Sequence, residues 1–216
     1  VLNEAGIERA EKLVGVDSFY SDPQYMEWPH LLETALKAHH IFEKDKTYVV
    51  VERKMPAYQR AVFPVNSSQE PHEVSTVILA DLVKRIVEAE GPIHIEEAAR
   101  RIASCFGKEK AGSRIVTATR AALARAQSHD SQLLSDGTFW FIRDQSETPP
   151  VRDRSLENGA TLKAANISML EVEAALAIAR EDNAGGNDAE LVRSAARLLG
   201  FRRVGADLQS RISDAL

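Results

Sequence analysis

A single cysteine, Cys105, stands in 216 residues. That excludes an internal disulfide and argues against a Cys-based zinc site. No run approaches the roughly 20 consecutive apolar residues that a membrane-spanning helix needs, and the opening Val1-Leu2-Asn3-Glu4 lacks a basic stretch followed by an apolar one. The expectation is a cytoplasmic protein without a membrane partner. There is no Gly-x-x-x-x-Gly-Lys-Ser/Thr phosphate loop and no nucleophile elbow, so neither an ATP motor nor any other enzyme is expected, and no cofactor. His30, His39 and His40 give no metal site, because adjacent helical histidines point about 100° apart and no carboxylate-rich motif supplies the missing ligands.

A uniformly basic surface is also missing: 27 basic against 32 acidic residues leave a formal net charge of −5. The charge is unevenly spread, however. Residues 100–128 hold seven basic side chains and one acidic, while every flanking stretch is net negative. A search for an anionic partner begins in that window.

What is present is hydrophobic periodicity. The 44% hydrophobic content suffices for a core, and the pattern predicts a mainly α chain. A small α+β segment comes first, in residues 1–55, with helices near 3–13 and 31–42 and a strand at 48–52. Residues 56–73, with Pro56, Pro64 and Pro71, read as an extended linker. Residues 74–145 then read as a winged-helix-like unit. Ser75 caps a helix with Ile78, Leu79, Leu82, Val83 and Ile86 at helical spacing. A short extended Ile93-His94-Ile95 follows, then a helix over 96–106 stopped by Gly107, and a third helix N-capped by Ser113 with Ile115, Thr119, Ala122, Leu123 and Ala126 inward. Asp136-Gly137 between two apolar strands predicts a hairpin wing. Residues 146–166 read as an irregular connector whose Arg152-Asp153-Arg154 forms a surface ion pair or extends a basic groove.

Residues 71–123 align without a gap on 164–216 at a shift of 93. Ser75 meets Ser168, Glu97 meets Glu190, and Gly107 and Gly112 meet Gly200 and Gly205. Residues 167–216 therefore read as a second helix-turn-helix-like unit without a wing. Its third helix carries Asp207 and Asp214 beside Arg211, which suits it less to phosphate, although Arg202-Arg203 occupies the turn before it.

On the third helix of the first unit, Arg114 and Arg125 fall on almost one line and Arg120 on the other side of the outward half. Lys108 and Lys110 sit on the approach. With Ser113, Thr117 and Gln127 between the cations, the helix suits phosphate contacts, and Thr117, Arg120 or Gln127 are candidate base-edge readers. In the strand Phe139-Trp140-Phe141, alternation gives the two Phe one face and Trp140 the other. The Phe pair is expected in the core, and an outward Trp140 to stack on a base or contact another subunit. The interface is thus read as Lys108, Lys110, Ser113, Arg114, Thr117, Arg120, Arg125 and Trp140, with nucleic acid, duplex DNA in particular, as partner. The other reading is a protein-interaction scaffold without nucleic-acid contact.

Gly91-Pro92-Ile93-His94-Ile95-Glu96-Glu97-Ala98-Ala99-Arg100-Arg101-Ile102, Gly112-Ser113-Arg114-Ile115, Phe139-Trp140-Phe141, Pro150-Val151-Arg152-Asp153-Arg154-Ser155 and Ala196-Arg197-Leu198-Leu199-Gly200-Phe201 carry a family resemblance. Residues 70–216 resemble an uncharacterised domain at the C-terminal end of large bacterial superfamily-one helicase-like proteins. The resemblance implies a motor, and often a nuclease-like segment, elsewhere in such proteins, and as partners their other domains or subunits. It attaches no activity to this region, and it does not extend to residues before Lys54.

Overall fold

The computed structural model describes residues 53–66, 68–182 and 187–216. The chain divides into two compact units, Val1–Glu52 and Arg53–Leu216. The helices expected near 3–13 and 31–42 and the strand at 48–52 lie outside the described residues. The second unit is mainly helical, with seven α-helices and one three-stranded antiparallel sheet among the described residues. None of the described helices is long and apolar enough to cross a membrane.

Helix α1 (Thr76–Glu90) begins where the Ser75 hydroxyl accepts the Ile78 N–H. It buries Leu79, Leu82, Val83, Ile86 and Val87, one stripe of a 3.6-residue period. Helix α2 (Ile95–Cys105) is capped by His94, whose Nδ1 accepts the Glu96 N–H at 3.3 Å. Helix α3 (Ser113–His129) buries the five residues expected, Ile115, Thr119, Ala122, Leu123 and Ala126. The buried Thr119 hydroxyl is satisfied by donating to the Ile115 carbonyl at 2.8 Å. Ser113 is not the N-cap: Gly112 holds that position in extended conformation and Ser113 is the first helical residue. Cys105 packs in the same core, and burial pushes its thiol pKa up.

Strands β1 (Ile93–His94), β2 (Leu133–Asp136) and β3 (Phe139–Ile142) form a sheet in the order β1-β3-β2. Asp136 pairs with Phe139, so the turn residues are Gly137-Thr138 and not Asp136-Gly137. Only Gly137 has positive φ, +57°, the pattern of a turn that asks for glycine at its first central position alone. The short helix α4 (Arg143–Glu147) leads from β3 towards the connector.

A second three-helix set follows: α5 (Met169–Asp182), α6 (Asp188–Leu198) and α7 (Ala206–Ser213). Each of its helices starts 93 residues after its counterpart, at 169, 188 and 206 against 76, 95 and 113. The buried positions keep the same offset. Leu79, Leu82, Val83 and Ile86 correspond to Val172, Ala175, Leu176 and Ala179, and Ala98, Ala99, Ile102 and Ala103 to Leu191, Val192, Ala195 and Ala196. Two separate apolar cores result, one for each set.

Residues 54–66 carry no helix and are packed along the body of the fold, whereas Pro71–Glu73, expected as part of an extended linker, form a 3-10 turn that Pro71 can start because the first helical position needs no N–H. Ala57 bridges Asp153 in parallel. The Val65 N–H donates to the Cys105 carbonyl at 2.8 Å, and Tyr58 and Ala61 are buried.

Both second helices end alike. Lys108 N–H donates to the Ala103 carbonyl and Phe201 N–H to that of Ala196, closing a Schellman turn around Gly107 (φ +70°) and Gly200 (φ +87°). Their surroundings differ. A Cβ on Gly107 would meet nothing within 4 Å, whereas one on Gly200 would lie 2.3 Å from Arg154 N and 2.5 Å from Ser155 N. Gly107→Ala should therefore cost only the left-handed penalty of about 1–2 kcal/mol. Gly200→Ala should cost roughly 1–3 kcal/mol more for overpacking, read as a larger drop in urea midpoint at unchanged m.

Candidate nucleic-acid interface

The core side of α3 is set by Ile115, Ala122, Leu123 and Ala126, and the opposite half faces solvent. At 100° per residue its midline carries Thr117, Ala121 and Ala124, flanked by Arg114 and Arg125 on one side and Arg120 on the other. All six are exposed. No carboxylate lies within ion-pairing distance of the three arginines among the described residues. Asp130, at the C-terminal cap, is held by Lys84 at 2.7 Å, and this contact keeps its carboxyl below the usual range. Small side chains between guanidinium rows let a helix approach a phosphate-lined groove closely.

The remaining expected residues fall out differently. Ser113 is exposed on the first turn of α3, and Lys110 is exposed just before it. Lys108 is exposed too, but its ammonium pairs with Glu70 at 2.5 Å. Gln127 is half-buried, and its amide donates to the Ser135 hydroxyl at 3.3 Å, joining α3 to the hairpin. Trp140 lies in the central strand of the sheet. Strand alternation does separate it from Phe139 and Phe141, but its face is the one turned to the first core, where it lies half-buried with Ile142. The buried Phe139 faces the other way: His94 meets it edge-on at 5.2 Å, and the Arg211 guanidinium of α7 lies 5.6 Å from its ring centroid. Trp140 is thus packed against the first core on one side and remains partly exposed.

The connector's arginines also need correcting, because Arg152 and Arg154 form neither a surface pair nor a groove. They are buried against Glu171, itself fully buried on the first turn of α5. Arg154 grips the carboxylate with both terminal nitrogens, at 2.7 and 2.6 Å. Arg152 adds its backbone N–H and guanidinium, and its Nη1 donates to the Glu90 carbonyl at 2.7 Å. The Glu90 carboxylate accepts from the Tyr58 hydroxyl at 2.7 Å, and from the Ala61 N–H and Arg101 Nε at 2.6 Å each. Both connector guanidiniums lie within 5 Å of the Tyr58 ring centroid. A third carboxylate, Glu97, takes Arg100, Arg101, Thr161 and Asn166.

Sequence reasoning misses this network, although a signal exists. Glu90 sits one turn beyond Ile86 on the apolar stripe of α1, and Glu171 one turn before Ala175 on that of α5. A carboxylate in register with a buried face needs a buried cation. No group of three or more metal-ligating side chains occurs among the described residues.

Residues 69–117 match a family described as a protein of unknown function, DUF3320. An uncharacterised domain is thus shown there, within the stretch that carries the resemblance to helicase-associated proteins. Residues 1–56, to which that resemblance does not extend, match the SecA preprotein cross-linking domain. Protein translocase subunit SecA 1 of Rhodopirellula baltica is 46% identical over 54 residues, 25% of this chain and 4% of that protein. SecA of Elusimicrobium minutum is 30% identical over 165 residues, 74% of this chain and 17% of its own. SecA of Campylobacter fetus subsp. fetus is 52% identical over 50 residues, 23% and 6% respectively. The chain thus spans at most about a sixth of these relatives. No solved structure matches it.

Burial works against the charge of Glu171, but Arg154 and then Arg152 outweigh it and hold the carboxyl below its ordinary 4.5. A carboxyl depressed in the folded state contributes stability above its unfolded pKa and loses it as pH falls through the folded value. Glu171→Gln should lower stability by about 3–5 kcal/mol at pH 7 and flatten the fall in stability below pH 4.5. Urea unfolding at several pH values measures both.

Proposed function

We propose that residues 74–145 form a winged helix-turn-helix that binds duplex DNA through the outward face of α3, as a non-catalytic accessory module of a larger protein. The observation that carries this reading is the exposed, unneutralised set Arg114, Arg120 and Arg125 on a helix without one acidic residue, in a chain of net charge −5. A merely solvated helix would be expected to mix the two signs, as α1, α2, α5, α6 and α7 do. The helix order, the Gly-containing turn between α2 and α3, and the hairpin held to α3 through Gln127 and Ser135 support the winged-helix reading. A helicase-related setting rests on the family resemblance of residues 70–216.

The relatives are protein translocase subunits, one of them matched over 165 residues, and the domain that residues 1–56 match is named for cross-linking to a preprotein. That favours a second reading, a protein-contacting scaffold whose two helix sets hold fixed geometry without touching nucleic acid.

Salt titration of the full chain against labelled duplex separates the two. DNA binding gives a steep negative dependence of log K on log salt. The triple variant Arg114→Ala, Arg120→Ala, Arg125→Ala should flatten it by about 0.9 for each phosphate it no longer neutralises. Absence of binding at low salt would leave the scaffold reading.

A further inference from the structure

The second helix set carries an unneutralised cationic surface of its own, displaced from the position it holds in the first. Residues 191–206 contain four arginines, Arg193, Arg197, Arg202 and Arg203, and no acidic residue. All four are exposed, and none has a carboxylate within ion-pairing distance among the described residues. On α6 the buried residues Leu191, Val192, Ala195 and Ala196 fix the inward side, and Arg193 and Arg197, one turn apart, occupy the middle of the outward one. Glu190 shares that side one turn before Arg193, its carboxylate accepting the Asn187 N–H at 3.1 Å in the helix cap, and its charge leaves Arg197, Arg202 and Arg203 as the cations suited to phosphate. At the offset of 93, the first set offers Arg100, Ser104, Glu109 and Lys110 instead, and Arg100 is consumed by Glu97. Charge has thus moved from the third helix in the first set to the second helix and following turn in the second.

One hairpin is in contact with both helix sets. Strand β2 is tied to α3 by Gln127 and Ser135, and Phe139 of β3 carries Arg211 of α7, the helix that begins three residues after Arg203. Arg211 is fixed there by donating to the Ile167 carbonyl at 2.7 Å. The Arg202-Arg203 turn is anchored as well: Arg154 N–H donates to the Leu199 carbonyl at 3.2 Å, and Gly200 lies against the connector backbone. Asp207, exposed on the first turn of α7, would repel phosphate, so the phosphate-binding role belongs to α6 and the turn rather than to α7.

We infer that Arg197, Arg202 and Arg203 form a second phosphate-contacting surface, which engages the same duplex as α3 and makes the footprint bipartite. This rests on the DNA-binding reading and extends it from one helix to both sets. The test uses the full chain and a labelled duplex of about three turns, roughly 30 base pairs. Salt dependence is compared for the wild type, the α3 triple variant, and the variant Arg197→Ala, Arg202→Ala, Arg203→Ala, with circular dichroism to verify the fold of each. The second variant should flatten the log–log slope by about 0.9 for each phosphate it ceases to engage, up to roughly 2.7, on its own account and additively with the first. If the wild type binds and the α3 variant flattens the slope while the second variant superimposes on the wild type, the bipartite footprint is overturned and the α3 reading stands. If the wild type does not bind, both fall together.

Discussion

Two fully buried carboxylates, Glu90 and Glu171, set the terms for the rest of the described structure. Glu90 is the last residue of α1, where the helix macrodipole disfavours an anion, and Glu171 lies in the apolar face of α5. Each must be matched by cations and N–H donors from other segments. Arg101 of α2, Tyr58 and Ala61 of the N-terminal strap, and Arg152 and Arg154 of the connector meet that demand together. Arg152 touches both carboxylate-bearing residues, so the strap of residues 54–66, the first helix set, the connector and the second helix set converge on one charged knot.

A buried ion pair adds little net stability compared with an apolar core of the same shape, because desolvating the charges offsets most of their attraction. Its effect is asymmetric. An arrangement of the two helix sets that separated Arg154 from Glu171 would strand an uncompensated charge in the interior, at a cost far above the worth of the pair. The network therefore acts chiefly by excluding alternatives. Two three-helix sets with independent apolar cores are tied by this knot into one register, with the Glu97–Asn166 and Phe139–Arg211 contacts beside it.

The elements are legible in the sequence wherever one period and one capping residue decide them. The α1 stripe except for Ile78, which is exposed, the five inward residues of α3 and the 93-residue offset all follow from local pattern, and local pattern places helices well. Errors arise where a choice depends on a partner distant in sequence. Alternation correctly divides Phe139 and Phe141 from Trp140, but which side faces which core is decided by Arg211, 72 residues beyond Phe139. Arg152 and Arg154 look like surface charges because their partner Glu171 lies on a helix where one more acidic residue arouses no suspicion. Lys108 looks free because Glu70 sits in a segment that reads as a linker. The outward cations of α3 are readable because exposure follows directly from the burial of the opposite face.

That contrast bears on function. Arginines serve two separable purposes here, and spacing relative to the apolar stripe distinguishes them. Arg101, Arg152 and Arg154 face inward and are paired with buried carboxylates, and the fold depends on them. Arg114, Arg120, Arg125, Arg197, Arg202 and Arg203 point outward and find no carboxylate among the described residues. Like charges left together on a surface repel one another and reduce stability, so folding alone gives no reason for them to cluster while acidic residues concentrate elsewhere. The internal network takes up the buried carboxylates Glu90, Glu97 and Glu171, and the outward arginines are left without an acidic partner among the described residues.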